Sequence, residues 1–145
     1  MPKSVRLQVI TPSKLFYEGD VELVIANTLT GEEGFMAGHS WACKLLATGE
    51  LLIQESGTKE LRAAAISGGF VDVMDDIIIY TDAAEWAEEI DVERANTQKT
   101  IDEEWLSENT SMEGTDPDQL ERAQVNLSMQ KVRLKVAAGG SRKKK

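Results

Sequence analysis

Few residues in this 145-residue chain could carry acid–base, nucleophilic or metal chemistry. His39 is the only histidine and Cys43 the only cysteine, whereas zinc and copper sites use several such ligands. No nucleophile motif surrounds His39, and a serine that directly follows it is no evidence for a catalytic triad. We therefore predict neither a metal site nor a catalytic site, and we interpret His39 as a hydrogen-bonded loop residue.

Acidic pairs and glycine-rich segments are the next candidates for chemistry. The adjacent acids Glu32-Glu33 and Asp75-Asp76 do not predict a carboxylate dyad, because neighbouring side chains diverge in a strand or turn. The segment 31–34 lacks the lysine of a phosphate-binding loop, and residues 68–69 do not open a helix. The chain is therefore predicted to bind or couple other proteins rather than to catalyse.

Charge is arranged in blocks along the chain. The net charge of −9 disfavours nucleic acid as a partner, because phosphate binding needs a basic face. Residues 90–121 carry ten acids and two bases, whereas residues 122–145 carry eight bases and no acid. Such blocks often mark interaction segments. We predict an acidic helix that can lie beside a basic one.

Residues 4–82 have the pattern of an antiparallel β-sandwich or barrel. Short segments of alternating or β-branched residues are separated by turns that contain glycine. We interpret residues 18–20 as a turn and residues 85–90 as a last strand, with the start of a helix as the alternative for the latter. The other predicted strands cover residues 5–9, 15–17, 21–26, 34–36, 51–55, 61–67, 70–74 and 77–81.

From residue 91 onward the pattern becomes helical. Asp91 is a predicted N-cap for a helix over residues 92–107, and Asp116-Pro117 is a strong start for a second helix that ends near residue 138. The first helix has a thin apolar face, with Val92, Ala95 and Leu106 on one side and Ile101 and Trp105 on another.

The second predicted helix carries two apolar stripes on opposite sides. Two stripes need two neighbours, and the first helix is one of them. For the other, the sequence leaves open the β-sandwich and a separate partner. One stripe consists of Leu120, Ala123, Leu127 and Leu134, and the other of Val125, Met129, Val132 and Val136.

The remaining composition limits the class of protein. A single cysteine cannot form an internal disulfide, which favours a reducing compartment. The first ten residues lack the apolar stretch of a signal peptide, and no apolar run approaches the length of a membrane helix. We predict a β-sandwich domain over residues 1–90, a helical hairpin over 91–138 and a basic, flexible tail over 139–145.

Several short motifs stand in a fixed order along the chain to about residue 138. The most specific are the block Gly-Glu-Glu-Gly-Phe-Met-Ala-Gly-His at 31–39 and Ser-Gly-Gly-Phe at 67–70. The others are Thr11-Pro12, Glu18-Gly19-Asp20-Val21, Gly49-Glu50-Leu51, Glu89-Ile90-Asp91, Arg94-Ala95, Arg122-Ala123 and the segments 79–85 and 132–136. In this order the motifs resemble those of the epsilon subunit of F-type ATP synthases. The family has an amino-terminal β-sandwich and a carboxy-terminal helical hairpin, as the residue pattern predicts.

The resemblance implies a non-catalytic central-stalk subunit of a proton- or sodium-translocating ATP synthase. Its sandwich would bind the gamma subunit and the c-ring, and its helices would restrain ATP hydrolysis. It would be peripheral at the cytoplasmic face of a bacterial cell membrane, with the plastid thylakoid membrane as the alternative. The block 31–39 matches the rotor-facing loop, so the candidate contacts with gamma or the c-ring are Glu32, Glu33, Gly34 and His39.

The resemblance also implies regulatory contacts. In the family the catalytic beta subunits present an acidic segment to the extended hairpin. The candidates to reach it are Arg122, Arg133 and Lys135. Contact with the alpha and beta subunits is expected only when the hairpin is extended.

Three departures from the family pattern concern contacts and ligands. Ala37 stands where the family usually has proline, and Trp41-Ala42-Cys43 replaces a small, proline-containing stretch. Some members bind ATP through an Ile/Leu-Asp-x-x-Arg-Ala motif. In the second predicted helix Arg122-Ala123 remain, but Asp118-Gln119 replace the apolar–acid pair. We therefore expect no cofactor, and ATP binding to the helical hairpin is the less favoured alternative.

Two other functions remain as alternatives. One is a free-standing, acidic β-sandwich that binds a ligand and dimerises through its helices. The other is an enzyme centred on His39. A stable homodimer without a gamma-like partner would favour the first, and activity lost on His39→Ala would favour the second.

Overall fold

The computed structural model describes residues 4–110 and 114–140, and the backbone of residues 142–143. The predicted basic tail lies partly outside these described residues. The strands are β1 Val5–Ile10, β2 Leu15–Thr28, β3 Gly31–Phe35, β4 Ala42–Leu46, β5 Gly49–Glu55, β6 Glu60–Ile66, β7 Gly69–Val73, β8 Ile77–Tyr80, β9 Ala84–Trp86 and β10 Arg142–Lys143. A 3₁₀ turn at Ala87–Glu89 leads to helices α1 Val92–Asn109 and α2 Pro117–Gly139.

The strands form a two-layered sandwich, which confirms the predicted fold class. One layer has the order β1-β8-β7-β4, and the other contains β5 and β6. β2 joins the layers, because its first half pairs with β1 and its second half with β3 and β5. Alternating apolar residues fill the space between the layers, and the largest fully buried ones are Phe35, Leu7, Leu51, Ile53, Ile66, Ile77 and Ile79.

The strand pattern differs from the predictions in four places. β2 is one continuous strand, so the predicted turn at 18–20 was wrong: Gly19 is extended and pairs with Leu7. β4 was not predicted at all. β1 and β8 run parallel rather than antiparallel. The segment 85–90 is part strand and part 3₁₀ turn.

Both helices begin where the sequence predicts. Asp91 caps α1, because its side chain accepts a hydrogen bond from the Arg94 backbone N–H at 3.0 Å. Asp116 caps α2 in the same way through the Asp118 N–H at 2.9 Å, and Pro117 occupies the first turn. Each cap satisfies a backbone donor that the helix itself leaves free.

α2 packs between α1 and the second layer of the sandwich. Met129, Val132 and Val136 belong to an apolar cluster with the outer sides of β5 and β6, where Ala63 and Ala65 let the helix approach closely. The β-sandwich is therefore the second neighbour that the two stripes required. The other stripe is half-buried and is left for α1.

The buried face of α1 differs from the prediction. Ala95 and Asp102 are buried, whereas Val92 is 45% and Ile101 is 51% exposed. Because α1 packs almost entirely against α2, the face that contains residues 95 and 102 is the helix–helix interface. The predicted apolar face was therefore right at Ala95 but wrong at Val92 and Ile101, and the contact also buries an acid, Asp102.

The opposite charges of the two helices do not join them. Within residues 4–110 and 114–140, no ion pair between α1 and α2 is observed, and Arg133 of α2 pairs with Glu85 of β9. The predicted placement of an acidic helix beside a basic one is therefore confirmed, but ion pairs between the two helices are not observed in the described residues. In the described part of the chain, neither helix has the length and apolar character that crossing a membrane requires.

Candidate functional site

Strand β3 and the loop that follows it hold the candidate contacts with the rotor. Glu33 accepts hydrogen bonds from Lys44 Nζ at 2.6 and 2.7 Å, and its Oε1 lies 3.9 Å from His39 Nε2. His39 Nδ1 donates to the Ser40 carbonyl at 2.7 Å, and its ring lies 5.2 Å from that of Phe35. His39 is thus a hydrogen-bonded loop residue, as the sequence predicted.

The four rotor candidates lie together but offer different groups. Glu32 is exposed on β3, whereas Glu33 is half-buried and is neutralised by Lys44. Gly34 is extended and pairs with Ile25, and a Cβ atom there would lie 3.3 Å from Leu23. Glu32 therefore offers an exposed carboxylate to a partner, whereas Glu33 positions the Lys44 and His39 side chains beside it.

Next to this loop lies an apolar surface that sequence reasoning did not find. Leu45, Phe70 and Tyr80 are direct partners across β4, β7 and β8, and the rings of Phe70 and Tyr80 stack at 4.7 Å. Their side chains point outward, because the adjacent residues Leu46, Val71 and Ile79 are buried in the core and side chains alternate along a strand. We call this surface the open face: Trp41, Cys43, Leu45, Phe70, Asp72, Met74, Ile78 and Tyr80.

The open face is unusually apolar for an uncovered sheet. Trp41 is 70%, Leu45 62%, and Met74 46% exposed. The opposite layer has a similar apolar outer side at β5 and β6, but there α2 covers it. Exposed apolar patches of this kind mark interaction surfaces. The sequence signal was the departure Trp41-Ala42-Cys43, but its neighbours on β7 and β8 follow only from strand pairing.

Acidic residues surround the open face. Asp72 lies within it, and Asp75 and Asp76 form the turn between β7 and β8. A cavity of about 310 Å³ opens at its edge beside Phe70, and Asp82 contributes to its lining. The surface thus fits an apolar partner that is flanked by basic residues.

A compact aromatic cluster supports the junction between sandwich and hairpin. The Trp86 ring stacks on Phe16 at 4.5 Å, and the Arg62 guanidinium lies 3.9 Å from its centroid. Tyr17 donates to Glu55 at 3.2 Å. Burial, and next the charge of Glu55, raises the pKa of Tyr17 to about 12. These contacts fix β9 just before the chain enters the helices.

Arg133 is the most constrained of the three regulatory candidates. Its Nε and Nη2 donate to the two oxygens of Glu85 at 2.8 and 3.2 Å, and its Nη1 donates to Gln130 at 2.9 Å. Its side chain is only 17% exposed. Arg133 therefore joins α2 to β9 and is not presented to a partner in this conformation.

The structure does not bring the three regulatory candidates together. Arg122 and Lys135 are both exposed. At 100° per residue, Arg122 and Arg133 lie within about 20° of each other and about 17 Å apart along α2. Lys135 lies about 200° around the helix from Arg133. One flat surface could contact Arg122 and Arg133 together, but not all three.

The pattern Ile/Leu-Asp-x-x-Arg-Ala, through which some family members bind ATP, is incomplete in α2 but occurs intact elsewhere in the chain. Residues 90–95 read Ile-Asp-Val-Glu-Arg-Ala, at the start of α1 rather than of α2. Here Asp91 caps the helix, and Ile90 and Ala95 are buried. The pattern thus has a structural role of its own. Among the described residues, no cluster of three or more His, Cys, Asp or Glu side chains could hold a metal ion.

Comparison with known proteins identifies the family. The family model for the β-sandwich domain of the ATP synthase delta/epsilon chain matches residues 4–87. The ATP synthase epsilon chain of Alkaliphilus metalliredigens is 43% identical over 107 residues, covering 73% of this chain and 78% of the relative. That of Caldanaerobacter subterraneus is 38% identical over 140 residues, covering 95% and 96%.

Solved structures agree with this assignment. A chain in the Euglena gracilis mitochondrial ATP synthase structure with OSCP, F1 and c-ring has a TM-score of 0.76 and 25% identity, with 95% of this chain and 83% of that chain covered. A chain of the Tetrahymena thermophila central stalk and c-ring, at 16% identity, shows the same fold with a TM-score of 0.61 over 94% and 97%. Since the family model covers more than half of the sequence and the Caldanaerobacter relative matches it nearly end to end, the chain belongs to the family of ATP synthase epsilon chains.

Proposed function

We propose that this chain couples rotation in the central stalk of an ATP synthase, by joining a gamma subunit to the c-ring, and that its hairpin restrains ATP hydrolysis. The observation that carries the proposal is the asymmetry of the sandwich. One apolar outer side is covered by α2, whereas the open face is bare and apolar. A subunit held in the stalk needs such a permanent docking surface.

The two rotor partners use different parts of the sandwich. The open face binds the gamma subunit, since its apolar centre and acidic rim fit a large, well-packed interface. β3 and the loop that follows it, with Glu32, Gly34 and His39, bind the c-ring through exposed polar groups, with Glu33 in the supporting role. Co-purification with a gamma subunit tests this arrangement. A stable homodimer that excludes gamma would instead support the free-standing ligand-binding module.

The hairpin supplies regulation. In an extended state, α2 would offer its basic residues to an acidic segment of the catalytic beta subunits and hinder rotation in the hydrolysis direction. The test is ATP hydrolysis by the reconstituted complex with the full chain and with a chain that ends at Ile90. Faster hydrolysis with the shortened chain supports the proposal, and equal rates contradict it.

The contact with the beta subunits can be tested without disturbing the closed hairpin. Arg122 and Lys135 are exposed, whereas Arg133 also holds α2 to β9. The double variant R122A/K135A should therefore relieve inhibition and leave the closed state intact. E121A, a matched change of an exposed residue on the same helix, is the control. Unchanged inhibition in the double variant contradicts a role for these two residues.

ATP is a second candidate ligand because the pattern at residues 90–95 is intact. Calorimetric titration of the full chain with ATP tests this role, and Arg94→Ala should weaken the binding. Arg94 is exposed and its side chain makes no contact that the fold depends on, so the variant should remain folded. Absence of heat with the unmodified chain would exclude nucleotide binding at millimolar concentration.

The proposed location follows from the same assembly. The chain is part of a complex at the membrane, and its bacterial relatives favour the cytoplasmic face of a bacterial cell membrane. The predicted domain boundaries at residues 90 and 138, with rotor binding assigned to the sandwich and regulation to the hairpin, are also tested by the chain that ends at Ile90. The coupling ion, proton or sodium, belongs to the rotor ring.

A further inference from the structure

The contact between β9 and α2 has the geometry of a strong ion pair. Two nitrogens of Arg133 meet two oxygens of Glu85, and the third nitrogen is satisfied by Gln130. The two charged side chains are only 17% and 30% exposed. Bidentate, charge-assisted pairs that are shielded from water are stronger than exposed ones. This pair links a helix of the hairpin directly to the sandwich.

The position of Glu85 lets the ion pair restrain movement of the hairpin. Glu85 lies on β9, which pairs with β6 and is followed by the 3₁₀ turn and α1. Arg133 lies near the far end of the hairpin in sequence, on α2. The pair therefore closes the loop of chain from residue 85 to residue 133, which contains almost the whole hairpin. Movement of the hairpin away from the sandwich has to separate these two charges.

The interface between α1 and α2 contains a feature that acts in the opposite direction. Asp102 is 7% exposed, at the centre of the buried face of α1. Its Oδ1 accepts from Gln98 at 2.9 Å, but its Oδ2 has no hydrogen-bond partner within the described residues. A buried carboxylate oxygen without a partner destabilises the state that buries it. Separating the helices would return this oxygen to water.

We propose that Glu85 and Arg133 form a latch that holds the hairpin closed, and that Asp102 sets how easily the latch is released. The ion pair stabilises the closed state and the buried Asp102 carboxylate destabilises it, so the closed state can still open. Arg133 cannot serve Glu85 and an external carboxylate at once. An acidic surface on a partner therefore opens the hairpin by taking the place of Glu85. The regulatory consequence rests on the proposed restraint of ATP hydrolysis, whereas the latch itself does not.

Hydrogen–deuterium exchange of the isolated full chain tests the latch directly. Glu85→Gln keeps the shape of the side chain but removes its charge. Amides of α2 should then exchange about threefold to tenfold faster, as expected when a half-buried bidentate pair is lost. Amides of β1 and β7 should not change, because the sandwich core does not involve this pair. Glu103→Gln, on the exposed side of α1, is the matched control.

Three further variants test the direction of each effect. The exchanged pair E85R/R133E should restore slow exchange in α2, which a loss of packing would not do. Asp102→Asn and Asp102→Leu should both slow exchange in α2, with Glu103→Leu as the control for added apolar surface. The proposal is overturned if E85Q behaves like E103Q, or if both Asp102 variants exchange faster than the unmodified chain.

ATP hydrolysis by the reconstituted complex separates the latch from the proposed function. If the latch controls regulation, E85Q should inhibit more strongly and D102N less strongly than the unmodified chain. Altered exchange in α2 with unaltered hydrolysis would support the latch and contradict the regulatory role of the hairpin. Unaltered exchange contradicts the latch whatever hydrolysis shows.

Discussion

Trp41→Ala should weaken binding of the gamma subunit without destabilising the isolated chain. Trp41 is 70% exposed, so its ring contributes little to the core of the sandwich. It precedes β4 and lies at the end of the open face beside Met74. Its ring is therefore available to a partner and expendable for folding.

The magnitude follows from the area that a partner can cover. A tryptophan side chain buries about 150–250 Å², of which 70% remains open here, or roughly 100–175 Å². At about 25 cal/mol per Å² this area corresponds to roughly 2.5–4.4 kcal/mol as an upper limit. Ordering of the interface takes back a part of it. We expect a loss of about 1.5–3 kcal/mol, or roughly ten- to 150-fold in Kd.

The assay is a titration of labelled gamma subunit with the purified chain. Ile101→Ala is the matched control, since Ile101 is 51% exposed on α1, away from the open face. Urea unfolding of both variants establishes that stability is unchanged. A Kd for W41A within twofold of the control would refute the assignment of the open face to gamma. A second variant, Leu45→Ser, should then also bind normally.

Three other predictions concern the fold. Gly69→Ala should lower the free energy of unfolding by more than about 4 kcal/mol or prevent folding, because the φ of Gly69 is +118° and the new Cβ would lie 1.8 Å from the Tyr80 carbonyl oxygen. The control is Gly57→Ala, where φ is +83° and the space around the glycine is open. Urea unfolding should show a loss of only about 1–2 kcal/mol for this control. Burial raises the pKa of Tyr17 to about 12, so the contribution of Tyr17 to the free energy of unfolding should be fully present below pH 10 and fall by about 2–3 kcal/mol as the pH rises to 12. Tyr17→Phe should remove this dependence of stability on pH. A dependence that persists in the variant contradicts the assignment to Tyr17. Val136→Ala removes two fully buried methyl groups from the contact between α2 and the sandwich and should lower the free energy of unfolding by about 2–3 kcal/mol. Protection of the amides from hydrogen exchange should fall more in α2 than in the sheet. An equal fall would mean that the hairpin and the sandwich unfold as one unit.

Much of the fold was predictable because its signals are local. The caps Asp91 and Asp116 and the residue Pro117 mark helix starts within a few positions of the hydrogen bonds they serve. Alternation of apolar with polar residues in β1 likewise gives its buried side without knowledge of any partner. The resemblance carried by the block 31–39 and by residues 67–70 then identified the family.

Local signals failed where a distant contact decided the outcome. Glu18-Gly19-Asp20 has the composition of a turn, but pairing with β1 on one side holds these residues in a continuous strand. Val92 and Ile101 were predicted to belong to the apolar sides of α1, but they are 45% and 51% exposed. Contact with α2 instead selected the side of the helix that contains Ala95 and Asp102.

The sequence by itself determined that this protein has a β-sandwich followed by two capped helices, because alternation and capping act between residues that are near each other in the chain. Only the tertiary structure decided which surfaces are open and which charges meet. Leu45, Phe70 and Tyr80 form one apolar row because strand register places them side by side. Glu85 meets Arg133 for a similar reason: α2 docks on the layer that carries β9, across 48 residues of chain.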